Sequence, residues 1–276
     1  MRTKLISSCW SFLAIILIVA GLLFFKASLP MSDNTQPQVF EVNSGMTLKQ
    51  VSQELLGQNL IRSANVFQAI ALIQDKEKLI KVGEYYISPS MPPAEILQRI
   101  TSGKTVLHSV TIPEGYRITE IANLLEERDL VDKNIFLQQA KNVELLEGVP
   151  TGSLEGYLFP DTYHFGKRTT EAIIINKMVE TFKERALKQE FLKRAGDMGF
   201  SYHEIITLAS LIEKETGKDS ERKQISSVFH NRLKKNMLLQ TDPTVIYAIE
   251  IFDGNIRKRD LNIDSPYNPY RYKGLP

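Results

Sequence analysis

The segment Glu213-Lys-Glu215 carries the sharpest chemistry in this chain. A carboxylic acid near neutral pH can donate a proton to a leaving oxygen if its surroundings disfavour the charged form. The surrounding residues predict such a setting. Ser201-Tyr-His-Glu204 is a capping box, in which Ser201 accepts from the Glu204 N–H while Glu204 reaches back, so a helix starts there. Gly217 offers its stop. Ile205, Leu208, Ala209 and Ile212 fall at helical spacing and form the expected buried stripe. Lys214 points away from that stripe, whereas Glu213 and Glu215 flank it, one on either edge. Lost hydration and the negative end of the helix dipole both oppose ionisation at such an edge. Against this stands a plainer reading, in which one or both acids pair with Arg222, Lys214 or Lys218. The wheel does not choose between Glu213 and Glu215.

Other chemistries lose support. His108, His164, His203 and His230 are scattered, with no HExxH pair, and no G-x-S-x-G, P-loop or G-x-G-x-x-G occurs. Asp242-Pro243 reads as an N-cap and first-turn proline opening a helix through Val245, Ile246 and Ile249. Residues 221–235 read as an amphipathic helix with Ile225, Val228, Phe229 and Leu233 inward and its Arg and Lys solvated.

The elements that must hold these acids are set by composition and pattern. The 276 residues are 43% hydrophobic and 24% charged, with a net charge of +2, which excludes dominant disorder. With 34 basic against 32 acidic residues there is no surplus charge for nucleic acid. A single cysteine, Cys9, excludes an internal disulfide framework and Cys-rich zinc sites; it reads as a small apolar residue. Leu5 to Phe25 form an uncharged run of 21 residues, long enough at about 1.5 Å per residue to span about 30 Å of hydrocarbon. Arg2 and Lys4 precede it and Lys26 follows, which predicts a cytoplasmic amino terminus and an uncleaved anchor in the lipid bilayer. A cleaved signal peptide is the alternative, disfavoured by the length of the run and by Lys26. Residues 27–38, with Pro30 and Pro37, form a polar linker.

The first half of the remaining chain repeats. At a constant offset of 70, Gly45 meets Gly115, Leu48 meets Ile118, Val51 meets Ile121, Leu55 meets Leu125 and Leu60-Ile61 meets Leu130-Val131, while Thr47 and Arg117 differ. Gly83-Glu-Tyr-Tyr-Ile87 before Ala94 echoes Asp161-Thr-Tyr-His-Phe165 before Glu171. Spacing predicts helices at 47–56 and 117–127 and strands near 39–43 and 108–112, hence two copies of one α+β unit. The unit resembles the LysM type of glycan-binding module, which implies binding to chains containing N-acetylglucosamine. The plainer reading is that the copies only position the second half.

Four ordered blocks then carry a wider resemblance: Leu154-Glu-Gly-Tyr-Leu-Phe-Pro-Asp-Thr-Tyr163, Ala209-Ser-Leu-Ile-Glu-Lys-Glu-Thr216, Val228-Phe-His-Asn-Arg-Leu233, and Leu239-Gln-Thr-Asp-Pro-Thr-Val-Ile-Tyr247. With Ser265-Pro-Tyr-Asn268 and Tyr270 to Pro276, they resemble the endolytic murein transglycosylase (MltG, YceG-like) family from the anchor to the last residue. The resemblance implies an α+β protein: an N-terminal transmembrane helix, LysM-like modules, then a mixed α/β catalytic domain. The corresponding boundaries are 1–26 for the cytoplasmic tip and anchor, 27–38 for the linker, 39–104 for a LysM-like module, and 105–276 for the catalytic domain, with a second repeat at about 108–180. It implies an inner-membrane lyase with its body outside the cytoplasm. That enzyme cuts peptidoglycan strands between N-acetylmuramic acid and N-acetylglucosamine to leave 1,6-anhydro ends, beside the peptidoglycan synthases. No cofactor or metal is implied. The family's catalytic acid corresponds to Glu213, and Glu155, Gln240, Thr241, Asp242 and Asn268 fall in motifs that shape the sugar cleft. Two departures stand out. Tyr267-Asn-Pro-Tyr270 replaces the usual Tyr-Asn-Thr-Tyr, which removes a hydroxyl and a backbone donor. The chain also stops at Pro276, where the family continues, so a truncated domain is expected. A hydrolase using the same acid, with Glu155 or Asp242 activating water, and a non-catalytic peptidoglycan scaffold are the remaining readings.

Overall fold

The structure, a computed structural model, describes residues 2–146, 152–249 and 252–276, and side chains from residue 14 onward. It is a mixed α+β protein in two compact units, Met1–His108 with Gly166–Arg168, and Ser109–Phe165 with Thr169–Pro276.

In the first unit, α1 (Arg2–Ser28) runs as one helix through the apolar segment. Of the expected anchor, residues 5–13 lie outside the described side chains; among the described residues no helix is long and apolar enough to cross a membrane. The linker is tied down: Arg62 donates from Nε to the Pro30 carbonyl at 2.8 Å and from Nη2 to the Met31 carbonyl at 3.0 Å. Next come β1 (Gln38–Val42), α2 (Leu48–Gly57), α3 (Ala64–Ile73), β2 (Gly83–Ile87) and α4 (Pro93–Ser102). The two strands pair antiparallel with Phe40 opposite Tyr85. Val51, Leu55, Phe67, Ile96 and Ile100 close over them as a core.

The second unit opens with the same order: β3 (His108–Thr111), α5 (Ile118–Glu126), α6 (Lys133–Gln139), β4 (Thr162–Phe165) and α7 (Glu171–Ala186), with β3 beside β4. The repeated sequence produces repeated local structure. Asn59 and Asp129, 70 residues apart, both adopt positive φ (55° and 53°), a conformation that Asn and Asp tolerate best among non-glycine residues. Each closes its helix identically, Leu60 N–H to Leu55 O at 2.9 Å and Leu130 N–H to Leu125 O at 3.0 Å. Later in each copy a buried tyrosine donates its hydroxyl to the carbonyl four residues earlier, Tyr85 to Lys81 and Tyr163 to Phe159. The elements differ from the expected bounds by a residue or two, as helix ends commonly do.

Among the described residues, four further α-helices follow in this unit: α8 (Gln189–Asp197), α9 (Tyr202–Glu215), α10 (Asp219–Lys234) and α11 (Asp242–Ala248). Leu208, Leu211, Phe229 and Leu239 form their small core. Two expectations are corrected here. On α9, Leu211 is buried and Ala209 is exposed, so the buried stripe is turned relative to the expected one. On α10, Val228 is solvent-facing. The first follows from packing: α9 lies against α8, α10 and α11, leaving its Ala209 side open to the cleft.

Candidate active site

The amino end of α9 forms as its sequence dictates. The Ser201 N–H donates to Glu204 Oε2 at 2.7 Å and the Glu204 N–H donates to Ser201 Oγ at 3.3 Å. The Ser201 hydroxyl also donates to Glu204 Oε2 at 2.7 Å, and this bond together with the one from the Ser201 N–H, the backbone bond first, holds the Glu204 carboxyl below its ordinary range. The helix ends at Thr216, one residue before Gly217, and Thr216 secures the turn by donating its hydroxyl to Glu221 at 2.8 Å.

The open side of α9 faces a cleft of about 630 Å³ within the second unit. Its walls come from the β3–α5 loop (113–117), the segment 153–160, α9, the first turns of α10, Tyr247 of α11, and Tyr267. A cleft of this size lies in the range that holds a small-molecule ligand, and its wall carries charged as well as aromatic side chains. Glu213 lines it; Glu215 does not. The wheel could not separate the two acids, but the packing of α9 does.

Glu213 has a cation beside it, as the plainer reading of the sequence had it, and of the three cations named there the partner is Arg222. Arg222 Nη2 lies 3.0 Å from Glu213 Oε2, and Arg222 also reaches Glu114 at 3.5 Å and Asp219 at 3.2 Å. The Arg222 Nε atom is buried with no acceptor. Gly115, at φ +75°, lets the loop come against α9: a Cβ there would lie 3.5 Å from Lys214 Cδ and 3.7 Å from Glu213 Cγ. Glu215 is employed elsewhere, accepting from the Thr241 hydroxyl.

Glu155 shares the cleft with Glu213. Its two oxygens accept the Ile118 N–H at 3.3 and 3.2 Å, closing the first turn of α5. Burial pushes its carboxyl above the ordinary value, only partly offset by that hydrogen bond and by Arg117. Arg117 lies over the Tyr247 ring, 4.9 Å from its centre, and Tyr247 meets Tyr267 edge to face at 4.9 Å. Burial first, then the neighbouring Glu155, pushes the Tyr247 phenol up to about 12.

Gln240, Thr241, Asp242 and Asn268 come together but do not themselves line the cleft; their neighbours Pro243, Thr244, Pro266 and Tyr267 do. The Gln240 N–H donates to the Pro269 carbonyl at 3.2 Å. Asn268 is fully buried; its amide donates to the Leu261 and Ile263 carbonyls at 3.0 and 2.8 Å, and its oxygen accepts from the Tyr270 N–H at 3.0 Å. Asp242 accepts from the Tyr270 hydroxyl at 2.5 Å. The N-cap of α11 is therefore Thr241, with Asp242 the first helical residue, a correction to the expected cap at Asp242.

Sequence reasoning passed over Arg117, Tyr247, Tyr267 and Glu114 as cleft residues. One signal was present for Arg117: it breaks the repeat at the position where the first copy has Thr47. Among the described residues, no group of three or more His, Cys, Asp or Glu is placed to hold a metal ion.

Comparison with known proteins adds the following. The YceG-like family model matches residues 40–276. The endolytic murein transglycosylase of Bacillus subtilis is 33% identical over 288 aligned positions, covering 94% of this chain and 77% of that protein. The protein of the same name from Streptococcus pneumoniae strain R6 is 32% identical over 90% of this chain, which spans 50% of its length. A yceG-like protein from Listeria monocytogenes, solved by crystallography, is 31% identical with a TM-score of 0.56, covering 87% of this chain and 84% of that one.

Proposed function

The chain belongs to the YceG-like family, and from that membership we propose that it is a membrane-anchored endolytic lytic transglycosylase of peptidoglycan. The observation that carries the reading is the position of Glu213, the one acid of the 213–215 pair that lines the aromatic-walled cleft. Glu213 protonates the oxygen joining N-acetylmuramic acid C1 to N-acetylglucosamine. As the C1–O bond breaks, the muramyl 6-hydroxyl oxygen bonds to C1 and returns its proton to Glu213. Water is not consumed, and the product ends in 1,6-anhydro-muramic acid. Because the substrate supplies its own nucleophile, one carboxyl suffices. Residues 5–25 anchor the chain in the plasma membrane with its body outside, next to the peptidoglycan synthases, where cutting ends nascent strands. The two repeats act as LysM-like glycan contacts. Gln240, Thr241, Asp242 and Asn268 serve from behind the cleft, setting the wall that the sugar meets.

A second reading has one specific support, the presence of Glu155 in the same cleft. There Glu155 activates water and the enzyme is a hydrolase. Product chemistry separates the two. The full chain in detergent, incubated with purified peptidoglycan beside Glu213→Gln, is expected to give anhydro-muramyl ends by mass spectrometry that disappear in the variant. Reducing muramyl ends would establish hydrolysis, and equal binding with no cleavage by either protein would establish a scaffold.

A further inference from the structure

We infer that Arg222 is the positioning residue for the acid, holding Glu213 Oε2 so that Oε1 is the oxygen that exchanges its proton with the glycan. This rests on the transglycosylase reading and assigns the step that reading leaves open, how a carboxyl at a helix end is held still.

Glu213 sits in the last turn of α9 on a side chain with three rotatable bonds, and 28% of that side chain is exposed. Unrestrained, it would sample several rotamers in the cleft. Arg222 meets it at 3.0 Å with a planar guanidinium whose other contacts come from two different segments: Glu114 on the β3–α5 loop at 3.5 Å and Asp219 one turn earlier on α10 at 3.2 Å. A rigid fork of this kind fixes direction as well as charge. The outer partners are 66% and 90% exposed, whereas Arg222 is 36% exposed. Exposed pairs add little stability, so the network gains its significance from orientation. Lys214 does not replace Arg222, because its chain runs along the loop at Gly115. The arginine thereby joins three segments of the cleft wall at the reacting carboxyl.

The test uses the full chain in detergent with soluble glycan strands of defined length. Arg222→Ala is expected to lower kcat by about a hundredfold, the loss a misplacement of about 1 Å can produce, with KM within about twofold. Circular dichroism should be unchanged. Ethylguanidinium added at millimolar concentration should restore part of the lost kcat in Arg222→Ala and none in Glu213→Gln. Arg222→Lys should fall between wild type and alanine, since an ammonium keeps the charge and loses the fork. Wild-type kcat in Arg222→Ala, or a loss matched by the unfolded fraction with no recovery by ethylguanidinium, overturns the inference. If the alanine variant does not fold, the lysine variant decides: reduced kcat at constant KM supports the assignment and unchanged kcat refutes it. Absence of anhydro ends in the wild-type arm would instead remove the transglycosylase reading itself.

Discussion

Thr241 donates its hydroxyl hydrogen to Glu215 Oε1, and this bond ties the end of α9 to the start of α11. Two residues earlier on the same helix, Glu213 turns to the cleft and to Arg222. Neighbouring acids in one turn thus have separate partners, and their variants should behave differently.

Glu213→Gln should reduce the formation of anhydro ends by about 10² to 10⁴, the usual contribution of a general acid. Glu215→Gln still offers Thr241 an acceptor, so its rate should stay within a factor of about two or three of wild type. Rates measured side by side on one peptidoglycan preparation decide this; equal losses in the two variants would contradict the division of roles.

Asn268→Ala strips three backbone groups of their partner in a fully buried site. Leaving such groups unpaired should destabilise the second unit by on the order of 3 kcal/mol. That corresponds to a fall in melting temperature of roughly 6–12 °C. Activity per folded molecule, assayed well below the transition, should be retained. Retained melting temperature with lost activity would mean that Asn268 acts on substrate directly.

Much of this arrangement was legible because it is local. Ser201 and Glu204 lie three residues apart and mark the start of α9; the offset of 70 aligned the helices and strands of both copies, while the matching Asn59 and Asp129 turns emerged only from the backbone angles. What was not legible depends on tertiary packing. Ala209 reads as core by spacing, yet it borders the cleft, because a small residue suits a ligand wall as well as an interior. Asp242 reads as an N-cap, but its carboxylate is taken by Tyr270, 28 residues away, and Thr241 stands at the cap. Arg222 was one of three cations within reach of Glu213 along the chain, and only the path of the turn at 216–218 brings it in.

Glu155 predicts a pH signature. Its carboxyl is raised from the ordinary value of 4.5, chiefly by burial. A raised folded value means that its contribution to stability is fully present below about 4.5 and is lost as pH rises through the folded value. Glu155→Gln keeps an acceptor for Ile118 and never ionises. It should therefore melt higher than wild type at pH 7, and the difference should close near pH 4. A lower melting temperature for the amide at pH 7 would show that the charged form is the one the fold favours.

Glu204 should show the opposite sign. Hydrogen bonds from Ser201 lower its carboxyl below 4.5, so the capping box stabilises above that value and the stabilisation is lost as pH falls through the folded value. Ser201→Ala should destabilise the second unit by about 1 kcal/mol at neutral pH, with a smaller penalty in acid. A pH-independent penalty in thermal melts would argue against the carboxylate's share in the cap.

The duplicated turn supplies an internal comparison. Gly45 and Gly115 have nearly the same backbone angle, φ +79° and +75°, but a side chain at 45 would meet open space whereas one at 115 would touch Glu213 and Lys214. An alanine at either place carries the same left-handed strain, roughly 1–2 kcal/mol. Differences between the two variants therefore report the consequence of crowding the acid, with the strain common to both cancelled. Gly45 would then answer to folding alone, and Gly115 to folding and to the room the acid needs.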